Sequence, residues 1–132
     1  MKIIDTDVLI DHFHGHRAAL EYFAQNLAAG EVLAVSVVAL TELLGGMRPG
    51  EEGRTERLLS YFTVLDVNEA IGRQAATYLR HYRKSHRLEL ADALIAATAA
   101  HAGAELVTRN LKHYPMTDVS IMVPYQRGSQ VS

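Results

Sequence analysis

The stretch KIIDTDVLI, residues 2–10, decides how the rest of the chain is read. Its apolar start, Lys2-Ile3-Ile4, is short and rich in β-branched residues, which suits a buried strand ending near Asp5 and Thr6. Similar short apolar runs return downstream, separated by helical periods. Leu20, Phe23, Ala24 and Leu27 recur at helical spacing over residues 17–29, and Gly30 is placed to stop that helix. Residues 32–35 predict a second strand. Ser36 then reads as an N-cap for a helix carrying Leu40, Leu43, Leu44 and Met47 on one stripe, loosened by Gly45, Gly46 and Pro49. Residues 57–62 predict part of an α-hairpin, 63–67 a third strand, and Asn68 the cap of a helix reaching about Ser85. A further helix covers about 89–102 with Gly103 as its stop, followed by strands at 105–108 and 119–123. Short strands joined through helices require crossover connections, so the fold class is α/β, with a mainly parallel sheet of about five strands covered on both faces.

Composition bounds what such a fold does. The 132 residues, 48% of them hydrophobic, suffice for one domain with one core over residues 1–132, and only 126–132 have the composition of a loose tail. Lys and Arg total 13 against 15 Asp and Glu, a formal net charge of −2, so the chain is not a polycation and any nucleic-acid contact must be local. The absence of cysteine excludes disulfides, iron–sulfur clusters and cysteine-ligated zinc. The longest nearly uncharged stretch, 90–103, is shorter than the roughly 20 residues of a membrane span. An acid already at position 5 leaves no room for a signal-peptide core, so a cytoplasmic protein without membrane contact is expected.

Ligands of parallel sheets bind beyond the carboxyl ends of the strands. That rule directs attention to Asp5, Thr6 and Asp7 after the first strand and to Thr108, Arg109 and Asn110 after the fourth. Asp5 reads equally as a functional acid and as a cap of the next helix. Asp92 is the one charged residue in 90–103, within a helix whose every face looks buried, and the macrodipole, worth about 0.3 to 1 kcal/mol, cannot offset burial of an ion. A metal or a cationic partner is the remedy; a simple helix cap or a pairing with one arginine is the alternative. Glu42 points away from the Leu40 stripe, but its small neighbours Val38, Ala39, Gly45 and Gly46 suit a packed cleft wall as well as open surface. Like charges about 4 Å apart repel by roughly 4 kcal/mol per pair at an effective dielectric near 20, so three converging acids call for a cation. Hard oxygen ligands favour magnesium or manganese, and a metal so held suits phosphodiester hydrolysis.

Other polar motifs carry less. His12, His14 and His16 alternate as on a strand while their surroundings read as helix and turn, which argues against a zinc or nickel site. The basic run RHYRKSHR, residues 80–87, gathers cations at a helix C-terminus, where solvation explains it better than RNA contact. Arg109 and Lys112 are better placed to meet phosphate, although Arg109 could equally hold the carboxylates.

Four stretches, IIDTDVLI, SVVALTELLGG, LELADALIAATAAHAG and LVTRNLKHY, together resemble the PIN-domain ribonucleases, specifically the VapC toxins of type II toxin–antitoxin pairs. Nearly the whole chain is covered. The resemblance implies a three-layer α/β/α sandwich, divalent-metal-dependent endoribonuclease activity, homodimers, inhibition by a cognate VapB antitoxin and higher assemblies with it. By position, Asp5 and Asp92 match the acidic metal ligands, Glu42 the third acid, and Thr6 and Thr108 the supporting hydroxyls. A fourth acid of many relatives is absent, with Asn110 in that region and Asp7 as a possible compensation.

Two other readings compete. DTDVL also resembles the first motif of haloacid-dehalogenase phosphatases, with Asp5 as nucleophile, but the chain lacks their paired acids and cap insertion. A non-catalytic receiver-like binding module would gather Asp5, Asp7 and Asp66, leaving Asp92 and Glu42 unexplained.

Overall fold

The structure, a computed structural model, describes residues 1–126; the remainder of the expected tail, 127–132, lies outside that range. Five strands, β1 (Lys2–Ile4), β2 (Leu33–Ser36), β3 (Thr63–Leu65), β4 (Glu105–Val107) and β5 (Ile121–Met122), form one sheet in the order β3-β2-β1-β4-β5. Every pairing is parallel, with Ile3 opposite Ala34 on one side and Leu106 on the other. Neighbouring side chains on a strand face opposite sides, so complete burial of both Ile3 and Ile4, and of all four residues of β2, means that both sheet faces are covered.

Six helices provide that cover: α1 (Thr6–Phe13), α2 (Arg17–Ala28), α3 (Val37–Gly45), α4 (Glu52–Leu59), α5 (Glu69–His86) and α6 (Leu90–Ala102). Their ends follow local chemistry. Ser36 accepts from the Val38 N–H, Asn68 accepts from the Ile71 N–H, and Gly103 closes α6 at φ +63° in the left-handed region. α6 packs along α5 and also meets α3, and Ala93, Ala96, Ala97 and Ala99 are buried along its middle. Its ends emerge, with Leu90 62% exposed, so burial of every face holds only for its middle.

Three boundaries differ from expectation. α4 starts at Glu52, with Thr55 bonded to the Glu51 carbonyl, and stops at Leu59, where the chain turns to bring Leu58 and Leu59 into the core. β3 ends at Leu65 and β5 spans two residues, because both are edge strands with one pairing partner each.

Candidate active site

Strand order places the chemistry. The chain builds β1, β2 and β3 to one side and then returns to lay β4 on the other side of β1, so the reversal point lies between the carboxyl ends of β1 and β4. The Asp5 N–H donates to the Val107 carbonyl at 2.9 Å, fixing these two ends against each other.

Asp5, 5% exposed, caps α1 at the reversal point, so the capping role is present at the place where a functional acid would stand. Its Oδ1 accepts from the Thr6 N–H at 2.8 Å, while its Oδ2 accepts from the Thr108 hydroxyl at 2.8 Å and the Tyr114 phenol at 2.8 Å. With both oxygens held this way, Asp5 is a poor candidate for the free nucleophile a phosphatase requires. The Tyr114 hydroxyl also lies 3.4 Å from Asp92 Oδ1, bridging acids from distant segments. Burial pushes the Asp5 carboxyl above the usual carboxylate range; the hydrogen bonds from Tyr114 and Thr108 oppose that, and the nearby Asp92 charge adds to it.

Asp92 sits in the first turn of α6, where the Glu89 N–H donates to its Oδ2 at 3.4 Å, so it also serves as a helix cap. His113 Nδ1 lies 3.6 Å from the same oxygen, taking the place of the arginine partner that was one alternative. Burial raises the Asp92 pKa, against the Glu89 backbone and His113.

Asp7 is pushed up to about 6, first by burial and then by Asp5, with the Arg109 backbone N–H opposing. Its Oδ2 takes that N–H at 3.0 Å, whereas its Oδ1 is buried without a hydrogen-bond partner. Asn110, the neutral residue in the fourth-acid region, is exposed and donates its backbone N–H to the Thr108 hydroxyl at 3.0 Å.

For Glu42 the structure shows the open surface of the two settings the sequence left open. The residue is exposed rather than set in a packed wall, because α3 turns Ala39 and Leu43 inward and leaves Gly45 and Gly46 in solvent. It joins the cluster through Thr6, whose hydroxyl donates to Glu42 Oε1 at 2.7 Å. The expected convergence is therefore graded: Asp5 and Asp92 share Tyr114, and Glu42 stands one hydroxyl further out. Among the described residues no three His, Asp or Glu side chains form a ready-made cage. Even so, the acids fit a hard divalent cation, since the gathered like charges and the orphaned Asp7 oxygen have only Arg109 and His113 as partial positive compensation.

The other candidates separate. The Arg109 guanidinium is committed to Asp11, with Nε 2.7 Å from Oδ2 inside the fold, so of the two expected phosphate ligands only Lys112 is exposed. His12 stacks on Phe23 with centroids 4.5 Å apart, and His16 stacks on Tyr125 at 5.6 Å. Asp66 is exposed beyond β3, which β2 separates from β1, so it cannot complete a receiver-like trio with Asp5. Sequence reasoning missed Tyr114 as a site residue. Its only signal was position, a tyrosine within a short loop of the fourth strand, since nothing local reveals a phenol that reaches back to residue 5.

Comparison with known proteins agrees with this geometry. The PIN domain family model matches residues 2–117. Ribonuclease VapC10 of Mycobacterium tuberculosis H37Rv is 44% identical over 117 residues, covering 88% of this chain and 87% of that protein. Ribonuclease VapC19 of the same strain is 40% identical, with coverages of 88% and 94%. A toxin–antitoxin complex from Klebsiella pneumoniae superposes with a TM-score of 0.74 at 29% identity, covering 96% of this chain and 99% of that one. VapBC2 from Rickettsia felis, solved bound to a promoter DNA fragment, shares the fold at a TM-score of 0.76 and 21% identity, with coverages of 92% and 96%. On a family match over almost its whole described length and on these relatives, the chain belongs to the PIN-domain family, in its VapC branch.

Proposed function

We propose that this chain, acting as one domain over residues 1–132, is a divalent-metal-dependent endoribonuclease and the toxin of a type II toxin–antitoxin pair. The observation that carries the reading is the meeting of Asp5 and Asp92 on the Tyr114 hydroxyl at the sheet's reversal point. Asp5 and Asp92 would hold magnesium or manganese directly, with Glu42 reaching it through water. Such an ion lowers the pKa of bound water and stabilises charge on a phosphate. Thr108 and Tyr114 keep Asp5 oriented, Thr6 ties Glu42 to the same cluster, and Lys112 offers an exposed cation to the RNA backbone.

The ribonuclease names of the mycobacterial relatives support the activity, and the Klebsiella complex supports an antitoxin partner. A groove of about 510 Å³ between α1, α3 and α4, walled by Ile10, Phe13, Leu43 and Met47 and ending at Glu42, suits an inserted VapB-type segment. A homodimer, a larger assembly with the antitoxin and a cytoplasmic site of action complete the proposal; among the described residues no helix is long and apolar enough to cross a membrane.

Sequencing RNA ends after inducing the protein, beside its Asp5→Asn variant, tests activity and target together. New ends should appear with the parent and vanish with the variant. A folded Asp5→Asn protein that cuts RNA at the parent rate defeats the assignment.

A further inference from the structure

Cations are spread unevenly over this molecule. Several are engaged far from the acid cluster or inside the fold, as Arg17 is with Glu21, Arg73 with Glu69 and Arg109 with Asp11. Two adjoining grooves along the end of α5 differ. Arg80, Arg83 and Lys84 line the outer one, Arg87, Lys112 and His113 line the inner one, and Ser85 lines both. Five of the chain's 13 lysines and arginines thus line these grooves, and no acidic side chain lines either among the described residues.

The macrodipole of α5 accounts for cations in its last turn, but not for Lys112. That residue belongs to a separate 3-10 turn, Leu111–His113, which brings it to the same groove as Arg87. The inner groove also opens beside the acids, because its His113 is the residue 3.6 Å from Asp92. From Arg80 to Arg87 a helix climbs about 10 Å, the length over which a stacked strand carries about three phosphates. Leu111, 54% exposed, and Pro115 add apolar surface to the inner groove, which suits unpaired bases more than phosphate alone.

We propose that the two grooves form one track that leads the backbone of single-stranded RNA away from the acid cluster along α5. The proposal rests on the ribonuclease reading and extends it with a substrate path. It also revises the run at 80–87, which sequence alone assigns to a solvated helix end.

The test uses the full chain carrying Asp5→Asn, so that RNA is not cut, and measures binding of a short unstructured fluorescent RNA by anisotropy in EDTA at several salt concentrations. One variant adds Arg83→Gln, Arg87→Gln and Lys112→Gln. A control of equal net charge adds Arg17→Gln, Arg57→Gln and Arg73→Gln, all exposed like the first set. Every phosphate that is no longer neutralised reduces the slope of log K against log salt by about 0.7, so the slope of the track variant should fall by about 2 while the control keeps its own. Equal slopes in the two variants overturn the track, whether both fall or neither does. Unchanged RNA binding together with abolished binding of an acidic protein would also overturn it, assigning the grooves to that partner. Metal-dependent cleavage by the parent is scored separately: cleavage with equal slopes removes the track alone, whereas a slope difference without cleavage keeps the track and removes the nuclease.

Discussion

Tyr114 is 3% exposed, and its phenol touches both buried Asp5 and half-buried Asp92. Replacing it with Phe keeps the ring packed and deletes a hydrogen bond to a buried carboxylate, worth about 1.5 to 3 kcal/mol. Urea unfolding should show a loss in that range. Supporting residues of metal ligands typically govern affinity by about 10- to 100-fold, so calorimetric titration of Tyr114→Phe with manganese should show weaker binding by such a factor. Unchanged affinity in a folded variant would deny the phenol any part in orienting Asp5. Asp7 makes a second prediction at this scale. Its carboxyl titrates at about 6 in the fold, above its ordinary range, so the folded state takes up a proton that the unfolded chain does not. The penalty from ionised Asp7 is complete above pH 6, shrinks as pH falls through that value and is gone below the ordinary aspartate pKa. Metal-free protein should therefore melt at a higher temperature at pH 5 than at pH 7.5, and Asp7→Asn should flatten the difference. A metal-free protein whose melting temperature falls steadily on acidification contradicts this.

At the scale of elements, α6 and the end of α5 show two different demands on a helix. Ala96 is completely buried in the middle of α6, so Ala96→Leu forces extra methylenes into a filled interior at about 1 to 3 kcal/mol. Thermal denaturation reads that loss directly. Arg87 ends α5 at φ +51°, a left-handed conformation that costs a side-chain-bearing residue about 1 kcal/mol relative to glycine. Arg87→Gly should raise the melting temperature slightly while weakening RNA binding, a trade that a purely structural cap would not make. Most of these elements were legible because caps and apolar spacing are local: Ser36, Asn68 and Gly103 announce their ends in the sequence. Edge strands and α4 were read less well. The length of β3 and β5 depends on which neighbours they pair with, and α4 is anchored by Thr55 meeting a core that its own sequence does not describe.

For the whole molecule, the parallel sheet follows from alternating short strands and helices, and the approach of Asp5 to Thr108 follows from the rule that sites lie where strand order reverses. Glu42 and Arg109 were harder to place. The helix periodicity of Glu42 gives an angle but not what lies opposite, and the choice of Arg109 between phosphate and carboxylate is settled by the buried Asp11, a residue of α1 far away in sequence. A molecule-wide prediction concerns the ion. If it binds the folded state alone, a concentration about 100 times its dissociation constant adds about 2.7 kcal/mol, so magnesium or manganese should raise the melting temperature and EDTA should reverse the rise. The Asp5→Asn protein should show little of this response; an equal rise in that variant would place the ion elsewhere. The strand order also has a bearing on biosynthesis. β1 leaves the ribosome first, yet one of its two flanking positions stays vacant until residues 105–107 have emerged, and the phenol that joins the two acids follows later still. On the ribonuclease reading, the acid cluster is therefore incomplete for most of translation, which leaves an interval in which an inhibitor can be supplied.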